Sequence, residues 1–223
     1  MASIIALTPD EKFIEYLNPD LINLVESNTQ YGLKTAKIEY TVEDIVDFTN
    51  LFGLGNKIYV SKNNKSCLYV INTPVEHDMF EESKVSFEAE EVLTELNNAP
   101  FFTQTDLTAG NGFSLSNGSV IVNHPALDFW FGDYFSIGII QDCLSPYLKY
   151  IQPTGTMSLM ELLRFIEEKT GNVFVTRYEK DVRTNDIHKY LDFLNPKSSE
   201  KQWEFHIFYR FPETNEENTN IAN

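Results

Sequence analysis

Three stretches decide the fold: Gly55-Asn56-Lys57-Ile58-Tyr59-Val60, Cys67-Leu68-Tyr69-Val70-Ile71-Asn72 and Lys84-Val85-Ser86-Phe87-Glu88-Ala89-Glu90-Glu91-Val92-Leu93. They read as three strands, with a polar break after each of the first two. The third runs into a helix-like Glu-Glu-Val-Leu-Thr-Glu-Leu sequence. Upstream, Ser3 to Leu7 reads as a first strand and Phe13 to Leu17 as a second. Thr8-Pro9-Asp10 supplies turn chemistry between them, and Asn18-Pro19-Asp20 ends the second. Gln30 to Tyr40 alternates, with Leu33, Lys37 and Glu39 on one face and Ala36, Ile38 and Tyr40 on the other. Asp44 to Leu51 reads as a short helix or loop. The first hundred residues are therefore expected to form a small antiparallel barrel or sandwich.

Downstream, Glu90 to Asn97 has the apolar spacing of a short helix, ended by Asn97-Asn98-Ala99-Pro100. Thr103 to His124 reads as loops with one strand at Ser119 to Asn123, and Asp128 to Phe135 is a dense aromatic patch. Ile137 to Leu148 is expected to be helical, ending near Pro146. The clearest helix is Ser158 to Lys169. Ser158 and Glu161 have capping-box spacing, Leu159, Leu162, Leu163 and Ile166 form the apolar stripe, and Gly171 stands where a left-handed cap belongs. Arg164, Glu167 and Glu168 should face water. Asn172 to Tyr178 then reads as a strand with Val173 and Val175 inward, opposite Phe174 and Thr176. Leu191 to Leu194 and Glu204 to Phe211 look like later strands, and 213–223 is a polar tail. The fold class is α+β, mainly β. The expected division is a barrel domain at 1–98, an α/β subdomain at 99–200, a strand at 201–212 that begins a possible second barrel, and the tail.

The 223 residues suit one large or two small domains, and 42% hydrophobic content supports a packed core. A net charge of −16 repels polyphosphates and anionic membranes, so neither is an expected partner. Cys67 and Cys143 are the two cysteines, each in an apolar stretch, and are expected to be free buried thiols. No secretion signal or membrane-spanning run is expected.

The residue patterns give no catalytic, cofactor-binding or metal site. His77, His124, His188 and His206 lack ligand spacing, and neither cysteine has a Cys or His nearby. Asp181, Asn185 and Asp186 lie in a polar loop that lacks the glycine and final glutamate of an EF-hand. Ser114 and Ser116 lie near His124 without a nucleophile motif. Gly53-Leu54-Gly55-Asn56 lacks the Lys-Ser/Thr pair of a phosphate loop. Two acidic groupings remain: Glu88, Glu90 and Glu91, and Asp128 and Asp133 around Trp130. The second suggests a sugar platform with an acid pair; the competing explanation is that Trp130, Phe131, Tyr134 and Phe135 fill a core or interface.

The strand after Gly55-Asn56, the apolar strand that follows, and Val85 to Leu93 resemble the opening domain of phage tail hub proteins (Tal, prophage tail endopeptidase). There a third strand of the form "hxhxAEHhhhxL" closes the barrel, and Glu91 stands where many relatives carry His. The unit MELLRFIEEKTGNVFVTRYE resembles the "hxxLhxxIxexfGxxhxh" pattern of the same family. The resemblance covers Gln30 to Leu96 and Met157 to Tyr178. It implies a structural, non-enzymatic hub at a phage tail tip, assembled in the host cytoplasm. The hub would be a homotrimer that contacts the distal tail and tape-measure proteins and positions wall-degrading or receptor-binding parts. Trp203 to Phe211 would begin a second barrel. Relatives continue further, which implies either a natural short form or a trimmed fragment. Two alternatives stay open: a glycan-binding module or enzyme using Trp130 and its acids, and a hub of a contractile injection system.

Overall fold

The computed structural model describes residues 3–28, 33–41, 51–62, 65–73, 76–78, 84–102, 120–141, 150–151 and 156–196. The class is α+β, mainly β. Strands β1 (Ser3–Leu7), β2 (Phe13–Leu17), β3 (Ile22–Asn28), β4 (Lys34–Thr41), β5 (Lys57–Lys62), β6 (Lys65–Ile71), β7 (Glu76–Asp78) and β8 (Lys84–Glu91) form one antiparallel sheet. Its order is β2-β1-β5-β6-β8-β4-β3, with β7 paired to β8 beside β6. The path is open: among the described residues β2 and β3 are its two ends, and no closed barrel forms. The sheet still curls strongly. Tyr69 of β6 donates its hydroxyl to Glu26 of β3, which lies three strands away along the path. Ile38, Phe87, Ala89 and Ile58 fill the concave side, and the Phe52 ring packs on Tyr40 and Phe87.

The six strands expected in the first hundred residues are present. Two are added: the short β7, and β3, whose Ile22 and Leu24 alternate with Asn23 and Val25 in register with Tyr40 and Ile38 of β4. Asn18 caps a 3-10 turn at Pro19–Leu21 that sends the chain into this strand. The helix-like run after β8 is a 3-10 helix over Val92–Asn97, with Val92, Leu93 and Leu96 buried.

A second group of elements packs on this sheet. Short pairs join β9 (Pro100–Phe102) to β13 (Thr156–Ser158), and β10 (Val120–Ile121) to β12 (Tyr150–Ile151). Helix α1 spans His124–Phe131, capped by Asn123 with Pro125 in its first turn. Helix α2 spans Leu159–Thr170. Its capping box is formed in both directions, and Gly171 takes φ 73, the left-handed region expected of it. Leu159, Leu162, Leu163 and Ile166 are buried. Glu168 is exposed as expected, but Arg164 and Glu167 are only half-exposed: they pair with each other, and Glu167 also accepts from the Phe174 backbone.

Two expectations are corrected here. Ile137 to Leu148 does not begin a helix: Ser136–Ile140 is a strand, β11, parallel to β15 (Ile187–Leu194). Ile137, Ile139 and Ile140 favour the extended backbone. Gly138 lets Asp192 approach so closely that an added Cβ would lie 2.0 Å from its Oδ1. That carboxylate accepts from the Ile139 backbone and from Arg177. The second correction concerns β14 (Val173–Lys180), which pairs antiparallel with β15. Its inward face is Phe174, Thr176 and Tyr178, not Val173 and Val175. The Phe174 ring packs on Phe131 and Phe193, and the larger rings outcompete valine for the buried side.

The buried apolar residues form one cluster from β1 to β15. Among the described residues Cys67 is a free buried thiol. Cys143, Trp203 and the strand expected at Glu204 to Phe211 lie outside the described residues.

Candidate functional site

The acidic cluster at the end of β8 is split by the strand's own geometry. Val85, Phe87, Ala89 and Glu91 share the buried parity, while Glu88 and Glu90 point to water. Glu91 is 1% exposed. One carboxylate oxygen accepts from Thr176 Oγ1 at 2.5 Å and Tyr178 Oη at 2.9 Å; the other accepts from the Lys34 backbone at 3.2 Å. One side chain thus ties β8, β4 and β14 together. Burial first, and the Glu91 charge second, push the Tyr178 hydroxyl well above its ordinary value. The same two causes raise the Cys67 thiol to about 12, so it is an inert thiol. Glu91 is engaged structurally, and Glu90 accepts from Asn72 on the open face.

A second polar junction lies at the other end of the sheet. Glu11, at the β1–β2 turn with φ 64, accepts from Lys57 of β5 at 2.7 Å and Lys189 of β15 at 2.5 Å. Lys57 also reaches Glu95 at 2.9 Å. Burial alone would raise the Glu11 carboxyl; hydrogen bonds and charges from Lys189 and Lys57 outweigh it and hold it below 4.5. For Lys57, burial lowers and the bonds to Glu11 and Glu95 raise, with a net shift above 10.5. Near this junction Tyr16 donates to Asn185 and accepts from Lys180, so the β14–β15 hairpin is pinned across β2.

The aromatic patch does not make a sugar platform. Trp130 is 4% exposed and meets Phe101 edge-on at 5.9 Å. A ring so covered cannot stack on a glycan. Asp128 and Asp133 are exposed on either side of it and do not converge on it. Helical spacing explains this, since Ala126, Leu127, Trp130 and Phe131 form the buried face of α1. Asp181 closes the β14–β15 turn by accepting from the Arg183 and Thr184 backbones, bonds that lower its pKa. Asn185 takes φ 64 in the same turn. His124 and His188 are exposed on separate elements, and His77 lies on β7. Among the described residues no group of three or more His, Cys, Asp or Glu converges as a metal site would require. Ser114, Ser116 and His206 lie outside the described residues.

What the sheet offers instead is surface. β2 and β3 end the strand path, and each carries an exposed apolar side chain: Phe13 at 40% and Val25 at 57%. Unpaired edges present rows of free backbone donors and acceptors. Sequence patterning missed β3, whose run Ile22-Asn23-Leu24-Val25 is short and follows directly on a proline turn. No described helix is long and apolar enough to cross a membrane.

No protein-family profile and no curated protein sequence matches this chain. Solved structures do. The tail protein from Neisseria meningitidis MC58 aligns at 9% identity and TM-score 0.49, over 85% of this chain and 50% of that one. A half-lidded Francisella PdpA-VgrG complex aligns at 13% identity and TM-score 0.41, over 86% and 31%. The 43 kDa tail protein of prophage MuSo2 from Shewanella oneidensis aligns at 12% identity and TM-score 0.36, over 86% and 48%. The chain spans half the length of these proteins or less. At such identities and TM-scores, these likenesses carry no functional argument by themselves.

Proposed function

We propose that this chain is a structural, non-enzymatic module of a phage or prophage tail tip, acting as a hub that joins the tail tube to the tip. The resemblance of Gln30 to Leu96 and Met157 to Tyr178 to tail hub proteins supports this function. The observation that carries it structurally is the strand path, which among the described residues ends in unpaired edges at β2 and β3. A curled sheet of this kind meets a neighbour by pairing edges and so closes a ring, which is a task of positioning. The acids weighed for chemistry support the same conclusion, because Glu91 is built into a junction and Glu88 and Glu90 face water. The resemblance adds a homotrimer and contacts to the distal tail and tape-measure proteins, in the virion tail.

Light scattering of the full-length gene product, with and without the distal tail protein, tests this. A stable interface needs roughly 1,200–2,000 Å² in total. With a charge of −16 per copy, association should strengthen as salt shortens the Debye length. A trimer at moderate salt is the expected result. A product that stays monomeric at high salt and concentration, and that binds no tail component, overturns the hub function. Turnover of a glycan or peptide abolished by Asp128→Ala or Glu90→Ala, in a protein that still folds, overturns the non-enzymatic part.

A further inference from the structure

β8 ends at Glu91, level with Lys34 at the start of β4, whereas β6 runs on past it to Lys65. A slot of about 300 Å³ is lined there by residues of β3, β4, β5 and β6. Leu24, Val60 and Cys67 give it an apolar lining, and Lys34, Lys62 and Lys65 border it. Among the described residues none of these three lysines has an ion-pair partner. Glu26, the one carboxylate in the lining, already accepts from Tyr69. The chain holds 17 Lys and Arg against 33 Asp and Glu, so three cations at one slot run against the general charge.

We propose that this slot is a docking site for an acidic peptide segment of a partner protein, one with an apolar side chain set between carboxylates. Charge complementarity selects the carboxylates, and the apolar lining selects what lies between them. The volume lies at the low end of ligand pockets and suits one or two side chains. The chain's overall charge disfavours a polyphosphate, while a short peptide brings few charges. This inference goes beyond the hub function and does not depend on it, since it concerns the isolated chain and not assembly into a ring.

The test is fluorescence anisotropy on the full chain, with a labelled eight-residue peptide alternating glutamate and valine. Saturable binding that weakens with added salt is expected. Lys62 and Lys65 are exposed, so Lys62→Glu with Lys65→Glu should leave the circular dichroism unchanged and weaken binding at least tenfold. Lys62→Gln with Lys65→Gln should give a smaller loss. Leu24→Ser should weaken binding without changing its salt dependence, and Lys12→Glu, at the β1–β2 turn, should leave it unchanged. Equal affinity in the charge-reversed variant, or equal binding of a lysine–valine peptide, overturns the proposal. Displacement by millimolar inorganic phosphate, or tighter binding of a single-stranded oligonucleotide, also overturns it by assigning a different ligand. Peptide-independent self-association that is lost in the charge-reversed variant makes the occupant a second copy, and overturns the partner peptide.

Discussion

Val70 of β6 and Glu90 of β8 are direct cross-strand neighbours on one face of the sheet, yet one is buried and the other open to water. They mark the border between two halves. In β5 and β6, Ile58, Tyr59, Val60, Cys67, Leu68, Tyr69 and Val70 are buried in unbroken runs. Successive side chains point to opposite faces, so both faces there are covered. The curl of the sheet covers part of these runs, and β14 and the 3-10 helix that follows β8 pack on β6. In β8 burial alternates strictly, with Val85, Phe87, Ala89 and Glu91 inside and Glu88 and Glu90 outside. Unbroken apolar runs thus report a second packed layer, and alternation reports water on one side.

Leu68→Ala is the strongest way to break this comparison. Leu68 is fully buried in the doubly covered half, so the change should cost ~2–5 kcal/mol in urea denaturation, by lost transfer energy and a residual cavity. A loss below ~0.5 kcal/mol would show that face to be uncovered. Next is Glu91→Gln, at the point where the second layer is tied to the open half. One of the donors from Thr176, Tyr178 or Lys34 then faces an amide donor, and the expected cost is about 1.5–3 kcal/mol. A neutral result would mean the layers are joined by packing alone.

The Glu11 junction sharpens the comparison from the other side of the covered half. Its folded pKa lies below 4.5, so the stability it contributes is present above 4.5 and is lost as pH falls through the folded value. Lys57, raised above 10.5, contributes below that value and loses its contribution as pH rises through the folded one. Stability measured at pH 6 and pH 3 should fall by about 1 kcal/mol less in Glu11→Gln than in the wild type, since partial solvent access screens the pair. An identical acid slope in the variant would place the pH dependence elsewhere. The smallest effect is expected for Glu88→Ala on the open face, within about ±0.5 kcal/mol. A larger loss there would mean the open half is covered by something in solution.

The extent, caps and buried stripe of the helix at Leu159–Thr170 were legible, because cap, apolar stripe and terminating glycine all act within a few residues of one another. So is the parity of β8, which puts Glu91 on the buried side of an alternating strand and so marks an acid that must find donors. The strand at Ser136–Ile140 was not legible. Its isoleucines fit helix or strand equally by spacing, and the choice was made by Asp192 on a strand far along the chain. The buried side of β14 was likewise decided by Phe131 and Phe193. Local sequence determined where strands and helices start, stop and turn, and which side of a one-sided strand is apolar. Tertiary structure alone decided that the strand path stays open among the described residues, that Glu91 joins two layers, and that Trp130 is covered. Those outcomes rest on contacts between residues distant in the chain, whose burial no local period encodes.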